Sequence, residues 1–123
     1  MSGKVYVVQR PAYYSRARKG WVNKYDLSPA REFGELDFLL PPANLQRDQL
    51  AKVTDHLREK LSDYSSDVDH VLAVGDPIAI GLVCMLAGEV SHGSVSILKF
   101  DRALAAYEPF VLDINANNGS KVS

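Results

Sequence analysis

Hydrophobic residues along the chain follow two periods, and the switches between them mark out the elements. Lys4–Gln9 sets Val5, Tyr6, Val7 and Val8 side by side. It is apolar toward both faces, which predicts a strand inside a sheet. Arg10-Pro11 ends it. Residues 12–27 show no clean period and contain Gly20, so they read as a long loop between elements. Ser28-Pro29 has the form of an N-cap followed by proline at the first helical position. Glu32 favours that helix start, and Gly34 closes what can only be a short helix.

Glu35 to Leu40 alternates into an apolar end and predicts a second strand, stopped by Pro41-Pro42. Leu50, Val53, Leu57 and Leu61, with Tyr64 beyond them, recur at spacings of three and four with charged residues on the other faces. This predicts an amphipathic helix over 47–62. His70 to Val74 is a short apolar strand that runs into Gly75-Asp76-Pro77. There Asp76 reads as an N-cap and Pro77 as the first residue of a helix over 77–88, apolar almost all the way round and closed by Gly88. Ser94 to Phe100 and Tyr107 to Ile114 are two strands whose short connection dictates a hairpin, because a parallel return needs a crossover of about a dozen residues or more.

Strand, loop, strand, helix, strand, helix, strand, strand is the order of an α/β protein. The expectation is a mostly parallel sheet of about five strands, with helices on its faces and an antiparallel C-terminal edge strand. Residues 1–114 form one domain in this reading, and the polar stretch 115–123, with nothing to bury, is a disordered tail. If the first and third strands are neighbours, their carboxyl ends bound the crevice where open α/β sheets bind ligands, and Arg10, Gly75 and Asp76 lie there.

Composition alters this picture in one respect. A chain of 123 residues, 46% hydrophobic and 24% charged, is too apolar for disorder and too interrupted for a membrane span. The net charge of −1 hides an uneven distribution. Arg10, Arg16, Arg18, Lys19 and Lys24 lie in a stretch free of acids, so the rest of the chain is acidic. Tyr13, Tyr14, Trp21 and Tyr25 are interleaved with these cations. That mixture suits either an acidic protein partner or single-stranded nucleic acid, and the acidic remainder of the chain favours the protein. The bland alternative is a solvated loop whose aromatic rings fold back onto the core.

Catalytic chemistry is thinly represented. His56, His70 and His92 have no spacing that predicts convergence or metal binding. Cys84 falls within the apolar helix, and Asp67 and Asp69 precede a strand as ordinary solvated acids. No phosphate-binding glycine motif or accompanying lysine is present. The reading therefore leans away from an enzyme and requires no metal or cofactor. A helix apolar on every side needs cover in so small a domain, and a second copy of the chain supplies it, so a homodimer is expected. The start of the chain lacks the pattern of a signal peptide, and no membrane association is expected.

Tyr25-Asp26-Leu27-Ser28-Pro29-Ala30, Phe33-Gly34-Glu35-Leu36, the run His70 to Ile80 through Val74-Gly75-Asp76-Pro77, and Ile97 to Arg102 together resemble a group of small uncharacterised proteins of tailed bacteriophages. The resemblance implies viral origin, an accessory role and residence in the cytoplasm of the infected host cell. It carries over no catalytic residue. The leading functional reading is an accessory protein that binds a host or phage macromolecule through Arg10, Tyr13, Tyr14, Arg16, Arg18, Lys19, Trp21 and Lys24. The alternative is a nucleotide or second-messenger site by Arg10, Gly75 and Asp76.

Overall fold

The structure is a computed structural model and describes residues 3–116. Most of the expected tail, from 117 onward, lies outside the described residues. Seven strands and two α-helices follow in order: β1 (Lys4–Gln9), β2 (Ala12–Ser15), β3 (Gly20–Asn23), β4 (Glu35–Leu40), α1 (Leu50–Lys60), β5 (His70–Leu72), α2 (Pro77–Val90), β6 (Ser94–Asp101) and β7 (Ala106–Asp113). Five strands form one sheet in the order β4-β1-β5-β6-β7, while β2 and β3 pair only with each other. Within the sheet β1 runs parallel to β4 and β5, β5 runs parallel to β6, and β7 returns antiparallel to β6. The expected α/β architecture with its antiparallel edge is what forms.

β1 occupies the middle because both of its faces are apolar. Tyr6 and Val8 enter a cluster with Leu57 and Leu61 at α1, Val83 and Leu86 of α2, and Val71 and Val95 of the sheet. Val5 and Val7 point the other way, into a smaller cluster with Leu27, Ala30, Leu72 and Leu98. The two long helices thus cover one face, and the 3₁₀ helix Ser28–Phe33 covers the other. On the helical face the Tyr64 hydroxyl oxygen accepts the Ser96 N–H at 3.0 Å. Burial pushes the Tyr64 phenol up to about 12, as it does that of Tyr6, so both stay neutral.

Several local expectations change. Residues 12–27 are not an irregular loop but contain the β2–β3 hairpin. Ser28 does not cap the short helix. It is the helix's first residue, and its N–H is held at 3.0 Å by the Asp26 carboxylate, a bond that lowers the Asp26 pKa. Gly88 does not end α2 either. The helix continues to Val90, and the reversal is made by His92 and Gly93, both at positive φ, with the Gly93 N–H returning to the Gly88 carbonyl. Nor is α2 buried on every side. Ala79, Val83, Leu86 and Ala87 are buried, but Ile78 and Met85 are exposed, Met85 to 74%.

Candidate functional site

The basic and aromatic segment rises from the carboxyl end of β1 as a twisted ribbon. Arg10 N–H donates to the Leu40 carbonyl at 3.1 Å, which fastens the first foot of the hairpin to the sheet, and Lys24 N–H donates to the Pro11 carbonyl at 2.6 Å, which closes the two feet on each other. Register pairs Ala12 with Asn23, Tyr13 with Val22, Tyr14 with Trp21 and Ser15 with Gly20. The tip, Arg16 to Lys19, turns with Lys19 at φ 53 and with the Arg18 N–H held by Ser15 Oγ at 3.2 Å. Arg16, Arg18 and Lys19 are therefore presented at the far end, away from the core.

Directly opposed residues of an antiparallel pair share a face. Tyr14 and Trp21 accordingly meet edge to face, ring centroids 5.8 Å apart, with Tyr13 and Val22 on the reverse. All four aromatic residues of the segment are about half or more exposed, Trp21 to 60%. They do not fold back onto the core. Among the described residues the ion pairs are Lys4–Asp37, Lys60–Asp37 and Arg58–Glu89, so none of the five cations of the segment is neutralised by a carboxylate.

Below the hairpin lies the crevice expected between the first and third strands of the sheet, since β1 and β5 are neighbours. Gln9, a residue that belongs to no motif, organises it. Its buried side chain donates to the carbonyls of Pro41, at 3.2 Å, and Ala43, and its Oε1 accepts the Asp76 N–H. One amide thereby ties the end of β1 to the loops that follow β4 and β5. Gly75, at φ 127, has to be glycine twice over, because a side chain there would be strained and would run into Gln9.

Asp76 caps α2 as expected, Oδ1 accepting the Ile78 N–H at 2.9 Å, while Oδ2 accepts the Leu45 N–H at 3.0 Å. Both oxygens are thus committed to the fold. The crevice itself, a hollow of about 480 Å³, is lined by Gln9, Arg10, Lys24, Gly75 and Asp76 among others. A second hollow of about 500 Å³ on the other side of the hairpin foot brings Arg10 and Lys24 together with Tyr25 and Arg31. Arg10 lies over the Phe38 ring at 5.6 Å from its centroid, beside Trp21, Pro41 and Pro42. Arg31 and Phe38 join the site only through folding; no sequence pattern pointed to either.

The family model described as Phage Pam3 gp32-like protein matches residues 3–114. The chain belongs to that family. A search of curated proteins and a search of solved structures found no match. The match runs from the residue before β1 to the residue after β7, so hairpin, crevice and sheet all fall within the family's span.

Side chains capable of catalysis stay dispersed. His56 Nε2 lies 3.2 Å from the Leu39 carbonyl, and His70 Nδ1 lies 2.7 Å from Ser96 Oγ, a hydroxyl with no solvent access. Burial raises the Cys84 thiol above its usual pKa, away from the reactive thiolate. Among the described residues no group of three or more His, Cys, Asp or Glu side chains could hold a metal ion. Asp69 accepts the N–H groups of Lys4 and Ser65 at 2.8 and 2.9 Å and serves to tie the loop before β5 to the start of β1.

Proposed function

We propose that this phage protein is a non-enzymatic accessory factor that binds a host or phage macromolecule through the β2–β3 hairpin. An acidic protein surface is the partner that fits best. The observation carrying this reading is the conjunction, on one projecting ribbon, of exposed Tyr13, Tyr14 and Trp21 with Arg16, Arg18 and Lys19, none of them ion-paired. Holding apolar rings in water has a cost that a contact surface recovers on binding, and Tyr, Trp and Arg are the residue types that dominate binding energy at interfaces. Arg10 and Lys24 at the foot extend the contact toward the sheet. Single-stranded nucleic acid is the next candidate, by stacking on the same rings. The site of action in this reading is the cytoplasm of the infected host cell.

Recovery of partners from host lysate by the wild-type chain and by a variant with Arg16, Arg18 and Trp21 all changed to Ala tests the assignment. The substituted residues are exposed, so melting temperature should be unchanged while partner recovery falls more than tenfold. Equal recovery by both proteins would remove the hairpin from consideration.

A second reading places a nucleotide or second messenger in the crevice by Arg10 and Gly75. It draws on the adjacency of β1 and β5 and on the cations Arg10, Lys24 and Arg31 around the hairpin foot. The engagement of both Asp76 oxygens by backbone N–H groups weighs against a ribose contact from that residue. A ligand that binds only the folded chain raises its melting temperature by mass action, so a thermal-shift screen of nucleotides separates the two readings.

A further inference from the structure

The two faces of the sheet are covered unequally. α1 and α2 lie over one, while the other receives the six residues of the 3₁₀ helix Ser28–Phe33. Alternation along β6 puts Leu98 and Phe100 on this second face. Register sets Tyr107 of β7 directly opposite Phe100, and the two rings meet edge to face with centroids 5.1 Å apart. Beside the short helix these residues bound a hollow of about 630 Å³ at the carboxyl ends of β5 and β6. Its floor is made by the buried side chains of Leu27, Leu72 and Leu98, and its rim carries Tyr25, Phe100 and Tyr107.

An apolar floor ringed by aromatic side chains suits a flat ring, and the hollow falls in the size range of small-molecule sites, about 300–1,000 Å³. What adjoins it is cationic. Tyr25, Val74 and Gly75 line both this hollow and the crevice at the end of β1, where Arg10 and Lys24 stand. The ion pairs among the described residues leave both of these cations without a carboxylate. The acids nearby are engaged instead by backbone: Asp76 holds the N–H groups of Ile78 and Leu45, and Asp26 holds that of Ser28. An aromatic ring and an anionic group thus each find a matching surface, on either side of Tyr25.

We infer that the two hollows together form a mononucleotide site, with the base against Tyr25 and the Phe100–Tyr107 pair and the phosphate on Arg10 and Lys24. The inference rests on the crevice reading above and deepens it, because it places the base outside the crevice, on the face that the α-helices leave open. The strand order agrees. From β1 the chain goes to β4 on one side and returns to β5 on the other, and open α/β sheets bind ligands outside the carboxyl ends of their strands at such a switch. Stacking on an aromatic side chain and contact with a phosphate are separate contributions, so each can be removed without the other. The tip of the hairpin takes no part, so this site and the hairpin surface stand or fall separately.

Titration calorimetry with AMP, GMP, CMP and UMP and with the corresponding nucleosides tests the site. At least one nucleotide should bind the wild-type chain about tenfold or more tightly than its nucleoside. Arg10→Gln should bring that nucleotide down to the level of the nucleoside. Tyr25→Ala and Phe100→Ala should each weaken it by about tenfold or more, while Tyr25→Phe, which keeps the ring, should bind as the wild type does. Tyr25 is 59% exposed, so its variants keep the fold, which circular dichroism checks. The variant with Arg16, Arg18 and Trp21 changed to Ala should also bind as the wild type does. If none of the four nucleotides binds, the crevice reading and this site fall together. Binding that Arg10→Gln removes but Tyr25→Ala and Phe100→Ala leave intact would overturn this site alone. A single-stranded hexanucleotide that binds more tightly than any mononucleotide, and is lost with the hairpin variant, would overturn it in favour of nucleic acid on the hairpin.

Discussion

Both carboxylate oxygens of Asp76 hold backbone N–H groups, one at the start of α2 and one in the loop after β4. Losing a helix N-cap costs about 0.5–2 kcal/mol, and the freed Leu45 N–H adds to it. Asp76→Ala should therefore lower unfolding free energy by about 2–3 kcal/mol in urea titrations. Asp76→Asn, which keeps an acceptor, should lose less than half as much. His70 makes a pH-dependent contribution. Burial, opposed in part by Asp69, lowers its pKa below 6.5, so the fold favours the neutral ring while the unfolded chain takes up a proton first. The contribution is complete above pH 6.5 and is lost as pH falls through that value toward the folded pKa. Comparing wild type with His70→Gln by thermal unfolding between pH 7.5 and 5.5 isolates it: the wild type should lose more stability over that range than the variant.

At the scale of elements, α2 contains a glycine that nothing in the packing requires. A side chain at Gly81 would meet no atom within 4 Å, so Gly81→Ala should stabilise the protein by about 0.5–1 kcal/mol, read as a raised melting temperature. Whether α2 formed was legible in the chain, because Asp76-Pro77 and a long apolar run specify a helix start and continuation. Which face would be left bare was not. An even distribution of apolar residues carries no direction, and only the sheet beneath decides that Val83 is covered and Met85 is not. β1 and β4 were legible to the residue, since prolines and glycines bound them. The β2–β3 hairpin was missed for a physical reason: four-residue strands are too short to display alternation, and a ribbon exposed on both faces has no apolar side to reveal it. Of the site, the cations and aromatic residues could be named from sequence. Gln9 could not, because its role consists of three contacts with residues far along the chain.

Across the whole molecule the sheet presents its ends and its edges differently. The hairpin and crevice sit at the carboxyl ends of β1 and β5, and among the described residues β4 and β7 form the edges. This division leaves the core strand β1 carrying the heaviest structural demand, for it pairs on one side with β4 and on the other with β5, so that Val5 lies between Leu36 and His70. Both partners follow it in the chain, and neither pairing is local. β1 must therefore wait, apolar on both faces, until residue 40 for its first partner and residue 72 for its second, whereas the last two strands can zip together through a short turn. Chain closure over such distances precedes any reward from contact, which slows folding. Refolding by stopped-flow fluorescence of Trp21 should accordingly occupy milliseconds to seconds, the range of non-local topologies. The strand that ends up most protected is thus the one that stays longest without its neighbours, exposed to aggregation until β5 arrives.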